Sequence, residues 1–573
     1  TGTDNTAVGA CSLKANTTAS YITAVGAYAL QANTTGGLNT ATGFYALLSN
    51  TTGSSNTASG GYALQDNTTG ASNTAVGRLA LADNTTGNYN AAVGAQSLQA
   101  NTTGCRSAAF GFQALCKATT GGFNTALGTY SLNQSTTAKC NVAVGTEAMF
   151  YNTTGCMNTA VGFRSLQKNT TANGNTATGM CTLFENISGS CNTAVGHMAL
   201  RSATCAHYNT AVGAMALCAA TTGYYNTAVG TFSLDALTTG YNNVALGQVS
   251  LSSLTTGARN TATGYGSLQN MTTACNNTAS GYRAARCTTT GNNNSAFGNQ
   301  ALLLNTTGHS NTVVGVKALY SSTIGCNNTA IGVCSMYENI SGGMNTAVGQ
   351  SSLLKNTCGW YNTGSGYNVL KCNTSGFENT ASGYRAMRAN TTGGYNTALG
   401  SRALNSNTTA NRNVAIGYKA MLDNTTGHSN VAVGNNALEN NTTGCYNTAS
   451  GYNAGCSNTT GKHNTWSGYA AGKLNTTGCM NTASGYRALL YNTTGCLNAA
   501  FGSCALFSNT TGLYNTASGH YSLTTNQTGC KNTASGAWSL GKNTTGCANT
   551  ASGYTSLWEN TTGFGNTAHG VKS

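Results

Sequence analysis

The sequence predicts an all-β chain: a single long β-solenoid, a flattened two-strand β-roll of about 34 coils running through residues 1–573. Three observations predict it. A word of the form N-T-A-V-G-x-x-A-L-x-x-N-T-T-G-x-x recurs every 17 residues from Asn5 to Asn566, without insertion or deletion. Glycine holds the fifth position of all 34 registers, and glycine or alanine holds the fifteenth. Charged residues are only 6% of the chain and proline is absent. Self-similarity at a fixed short period marks a repeat architecture. Strict register adds that each coil touches its neighbours around its whole perimeter, because one slip would break every ladder along the stack.

Two small, turn-permissive positions per coil predict two corners. Between them lie N-T-A-V and x-x-A-L-x-x, each short enough to be one strand of a narrow coil. Seventeen residues cannot hold a strand, a helix and two connections. Coils ~4.8 Å apart would stack into a rod of about 160 Å. The core is expected to be thin. Position 3 is alanine in 31 of 34 registers, with Val313, Gly364 and Trp466 as exceptions, and position 9 is leucine in 26 of 33. Position 4 varies among Val, Ser, Thr, Leu, Ile and Phe, so it is placed outward, Val-rich early and Ser-rich late (Ser450, Ser467, Ser484).

Composition removes several function classes. No apolar run approaches the ~20 residues that span a bilayer, so membrane insertion is not expected. The net charge of +14 is spread thinly, without the Lys/Arg cluster that grips phosphates, so nucleic acid is not an expected partner. Eleven scattered acidic residues and seven histidines form no catalytic set, and no phosphate loop or zinc spacing occurs. No catalytic residue, cofactor or metal is expected, and the chain does not read as an enzyme.

The words NTAVG and GxxAL resemble the head repeats of trimeric autotransporter adhesins, in which a short AIG-type word recurs coil by coil in a left-handed β-roll. They resemble still more the NTAVGxxAL arrays of fibre proteins from phages, algal viruses and bacteria. The resemblance covers the whole chain and implies a β-solenoid used as spacer or shaft. The adhesin-head repeat is shorter than 17 residues, and the heptad stalk, membrane-anchor barrel and self-cleaving chaperone domain of those families have no counterpart here.

Position 12 is asparagine in 24 of 33 registers, nearly always followed by Thr or Ser two residues on. Asn16, Asn33, Asn50, Asn67, Asn84 and Asn101 begin this column. They fit the N-glycosylation acceptor and equally an asparagine ladder along the axis. The ladder is favoured, since glycans every ~4.8 Å would collide and the column also accepts Leu237, Leu254 and Met271.

Twenty-two cysteines suggest disulfides and an oxidising, extracellular setting. The candidate pairs are Cys479 with Cys496 and Cys530 with Cys547, one coil apart at position 16, and Cys105 with Cys116 and Cys445 with Cys456, close in sequence. Cysteines also mark a longer period: blocks of nine or ten coils begin near Cys11, Cys181, Cys334 and Cys504. Tandem duplication explains the blocks, and a repeated lateral contact is the sharper alternative. Tyr452, Tyr469 and Tyr486 share position 6 in successive coils and are expected to stack.

These features together predict a structural protein, an extracellular fibre subunit or adhesin shaft that associates with itself head-to-tail or laterally, with covalent glycans as a further partner. Ice or glycan binding is the alternative. Threonine fills position 2 in 26 of 34 registers, but a T-A-T face occurs only at Thr40, Thr176 and Thr261.

Overall fold

The computed structural model describes residues 1–573 and is all-β. It divides into two compact units, Thr1–Thr290 and Gly291–Ser573. The first carries strands β1 (Thr6–Val8) to β17 (Thr278–Ser280), the second β18 (Ser295–Phe297) to β34 (Thr567–His569). Every strand is three residues long and occupies positions 2–4 of its coil. Within each unit each strand pairs in parallel with the next, residue for residue at a 17-residue offset, as in Thr74↔Ala91 and Thr482↔Ala499. The expected β-solenoid is therefore the fold. No helix is long and apolar enough to cross a membrane.

One element differs from expectation. Each coil has a single strand, and the segment x-x-A-L-x-x is a succession of turns rather than a second strand. Its backbone still bonds along the axis: in the coil from Asn56, Tyr62 N–H donates back to Phe44 O (2.8 Å) and Leu64 N–H forward to Ala80 O (3.0 Å). What prevents a strand is handedness. Positions 7 and 9 have left-handed φ, for example 65° at Tyr62 and 51° at Leu64, and position 17 does as well, at 59° for Ser55. Each such non-glycine residue costs on the order of 1–2 kcal/mol. The cost is tolerated because the same residues make the inter-coil bonds.

The strand's middle residue points inward. Ala58, Ala75 and Ala483 have no exposed surface, while their Thr and Val or Ser neighbours face out. Position 4 is therefore outward, as its variability implies. Leucines at position 9 close the core from the other side, with Leu64, Leu81 and Leu489 fully buried. At two breaks in the pattern a neighbouring residue compensates for the change in volume. Trp466 replaces a core alanine, and the position-9 residues beside it are Gly455 and Gly472, where any Cβ would collide with the indole. Gly364 replaces another alanine, and Val369 stands at position 8 of that coil, 3.3 Å from where its Cβ would be. Close-packed interiors accept such exchanges when total volume is kept.

The two glycine columns do different work. Position-5 glycines have φ between +110° and +141°, and a Cβ on Gly213 would lie 2.7 Å from Gly230 C in the next coil. Only glycine satisfies both constraints, and position 5 has no substitute in the chain. Position-15 glycines are tightly stacked but not left-handed, and six coils hold alanine there, among them Ala138 and Ala172.

Candidate binding surfaces and the cysteine column

Position 15 is where the polar interior converges. In the coil from Asn56, the Gly70 carbonyl accepts from Asn56 Nδ2 (2.9 Å) and from Asn67 Nδ2 (2.9 Å). Asn56 thereby closes its own coil, and its Oδ1 accepts Asn73 N–H of the next (3.0 Å). Asn67 also donates to Asn50 Oδ1 at 2.7 Å and accepts from Asn84 at 2.7 Å. The second unit repeats the arrangement at Asn481, Asn492 and Gly495.

Asn33, Asn50, Asn67, Asn84 and Asn101 thus form the ladder, with zero exposure, and Asn16 begins it half-buried. An amide nitrogen enclosed and donating twice leaves no room for a glycan. The ladder stops where its partner is lost. Asn101 Oδ1 precedes Ala118 and Asn186 Oδ1 precedes Ala203, and neither oxygen has a hydrogen-bond partner. From Ala203 through Ala220, Leu237, Leu254 and Met271 the column becomes an apolar spine, fully buried.

The adjacent threonines divide their roles. The position-13 hydroxyl donates to the next coil, as Thr68 Oγ1 does to Thr85 O (3.0 Å), and the position-14 residue, such as Thr69, is exposed.

The cysteines require a correction. All 22 are free thiols, including Cys479 and Cys496, Cys530 and Cys547, Cys105 and Cys116, and Cys445 and Cys456. The geometry gives the reason for the position-16 column. The backbone N–H of position 16 has no carbonyl opposite it, and the side chain one coil on supplies the acceptor. Cys479 N–H donates to Cys496 Sγ (3.0 Å) and Cys530 N–H to Cys547 Sγ (3.1 Å). Elsewhere Asn88, Ser190, His207 and Asn411 supply the acceptor for the same position. The sulfur then turns back to the Thr carbonyl two residues upstream, as at Cys479 and Thr477 (3.2 Å). Cysteine here is a small acceptor that caps a stack, and with the thiols unbonded its abundance carries no argument about compartment. Burial, and then the Glu439 carboxylate, push Cys456 up to about 11.

Aromatic residues line the coil edges. Tyr452, Tyr469 and Tyr486 stack with ring centres 5.2 and 5.3 Å apart and planes within 16°. Tyr265 with Tyr282 and Tyr367 with Tyr384 form shorter versions. Arginines at the next position lie over these rings, as Arg487 does over Tyr486 at 5.0 Å, an arrangement worth ~0.5–1 kcal/mol where exposed. Three ion pairs also follow the coil step, among them Lys168–Glu185 at 2.7 Å, which is exposed enough to add little.

The outer face of the sheet in the first unit presents an apolar column. Val161, Val195, Val212, Val229 and Leu246 all stand out to solvent, 36–39% exposed. A groove of about 470 Å³ lies in the second unit at positions 14–17, between Phe377 and Tyr446. The repeat itself concealed it, because positions 16 and 17 follow no consensus. The only available signal was the run of large and small residues there: Phe377, then Gly394, Asn411 and Ser429, then Tyr446. No group of His, Cys, Asp and Glu side chains is placed to hold a metal ion.

No family model matches the chain, and no curated protein is significantly similar to it.

Proposed function

We propose that the protein is structural: a subunit of an extracellular or surface fibre, or the shaft of an adhesin, that associates with copies of itself. The observation that carries this reading is where the polar groups go. In most coils two asparagines and one threonine hydroxyl, alongside the backbone, bond to the next coil in the same register, as at Asn56, Asn67 and Thr68. A repeat whose recurring polar groups are spent on its own neighbours builds a stable spacer rather than a reaction centre. The exposed column Val195, Val212, Val229 and Leu246 supplies a contiguous apolar strip of the kind that marks a protein–protein contact.

Sedimentation and negative-stain microscopy over a concentration series test the proposal. Filaments or laterally paired particles that grow with concentration are expected. Replacing Val195, Val212 and Val229 by threonine should weaken lateral association and leave thermal melting unchanged. A chain that stays monomeric at hundreds of micromolar would remove the self-association. Ice binding finds less support. The outward face pairs threonine at position 2 with threonine at position 4 only in strands such as Thr40–Thr42 and Thr176–Thr178, and valine or serine interrupts the lattice elsewhere. Thermal hysteresis at millimolar protein would reverse that judgement.

A further inference from the structure

We infer that the groove between Phe377 and Tyr446 binds a short acidic oligosaccharide, with Arg412 reading a sugar carboxylate. Two edge-to-face aromatic pairs form its walls. On one side Phe377 and Tyr395 have ring centres 5.0 Å apart and planes at 77°. On the other, His428 and Tyr446 are 5.0 Å apart with planes at 86°. Each pair joins position 16 of one coil to position 17 of the next, so the walls are two copies of one device. Between them the edge is lowered. Gly394 has no side chain, and its N–H holds Asn411 Oδ1 at 2.6 Å, which fixes the amide against the floor. Thr392, Thr409 and Thr426 line the groove one coil apart, all three exposed.

The chemistry selects the ligand. Aromatic faces receive the C–H faces of sugar rings, and a row of threonine side chains at coil spacing offers donors and acceptors to successive ring hydroxyls. The volume falls in the ordinary range for ligand sites, ~300–1,000 Å³. Arg412 is exposed, lies over Tyr395 at 6.0 Å, and forms no ion pair with any carboxylate of the chain. One guanidinium fork suits one carboxylate, which it can bind through two parallel hydrogen bonds. A polyphosphate or nucleic acid would call for a series of cations, and the lining holds a single arginine. A uronic-acid-containing sugar satisfies the walls, the hydroxyl row and the charge together. The proposal does not depend on self-association, and the two stand or fall separately.

The test is calorimetric titration of the full chain with trigalacturonate, and with neutral galactotriose alongside. Saturable binding of trigalacturonate, and much weaker binding of the neutral sugar, is expected. Arg412→Gln should reduce affinity at least about tenfold, as loss of one charge-assisted pair does, and Arg412→Lys should keep part of it. Tyr446→Asn removes a wall while retaining a residue that tolerates the left-handed φ of 59° found there, so unchanged melting with lost binding is expected. No heat with trigalacturonate at millimolar concentration would overturn the proposal. Equal binding of the neutral sugar, or binding unaffected by Arg412→Gln, would overturn it as well.

Discussion

The indole of Trp466 fills the space that a leucine side chain at position 472 would take. Gly472 has φ of 57°, the same left-handed conformation that leucine adopts at this position in neighbouring coils, so sterics alone explain the glycine. Gly472→Leu should therefore destabilise the second unit by about 1–3 kcal/mol through overpacking. Trp466→Ala should cost about 3–5 kcal/mol through the cavity it leaves. Trp466→Ala with Gly455→Leu and Gly472→Leu restores the repeat and should recover most of the loss. Additive losses in the triple variant, measured by urea denaturation, would show that the three residues do not share one space.

The glycine columns separate in a single coil. Gly213→Ala places a Cβ on a residue with φ of 132° and 2.7 Å from the next coil's backbone. Gly223→Ala meets the Gly240 carbonyl at 2.7 Å without the left-handed constraint, at a position where the chain elsewhere accepts alanine. The first variant should lose several kcal/mol or fail to fold, and the second about 1 kcal/mol. Equal losses would contradict the distinction. Amide exchange around the substituted coil reports each effect locally, which matters because long repeat arrays need not unfold in two states.

A stabilising substitution is available at a ladder end. Ala118→Asn would donate to the unpartnered Asn101 Oδ1 and to Gly121 O, as Asn67 does to Asn50 and Gly70. Satisfying a buried orphan acceptor should add about 1 kcal/mol. A lower melting temperature than the parent chain would show that the alanine is there for its size.

The cysteines are readily probed. Denaturation without reductant followed by alkylation should label all 22 thiols, and a mass deficit of hydrogen pairs would reinstate disulfides. In the native chain at pH 8, exposed Cys140 and Cys191 should react fastest and buried Cys456 slowest. With its pKa at about 11 against an ordinary 9.0, Cys456 holds about a hundredfold less thiolate at that pH. Its reactivity should rise only as pH climbs toward 11.

The solenoid was legible because an unbroken 17-residue register admits few other folds, and the alanine and leucine columns located the core. The turn segment was not legible. Left-handed residues usually announce themselves as glycine or asparagine, and here leucine, tyrosine and arginine hold that conformation because neighbouring coils impose it. Cysteine spacing misled for a related reason: a sulfur that accepts an N–H and one that is bonded to another sulfur recur at the same period. The telling sign was that Asn88, Ser190, His207 and Asn411, all acceptors, share the position. The Tyr452–Tyr469–Tyr486 stack followed directly from register. The groove at Arg412 did not, since it lies in the positions where the repeat has no consensus.

The left-handed residues at positions 7, 9 and 17 also govern how the molecule can come into being. A lone 17-residue stretch has no reason to hold Leu64 at φ of 51°, because the carbonyl that rewards the conformation belongs to the following coil. Starting a stack is then the slow step. Once coils are in place, each newly synthesised stretch finds a template of amides and carbonyls at the right height and closes onto it, so growth proceeds as a zipper from an existing end. Unfolding runs the other way, as an unravelling from an end, and a coil deep inside a unit stays shut until the coils outside it have opened.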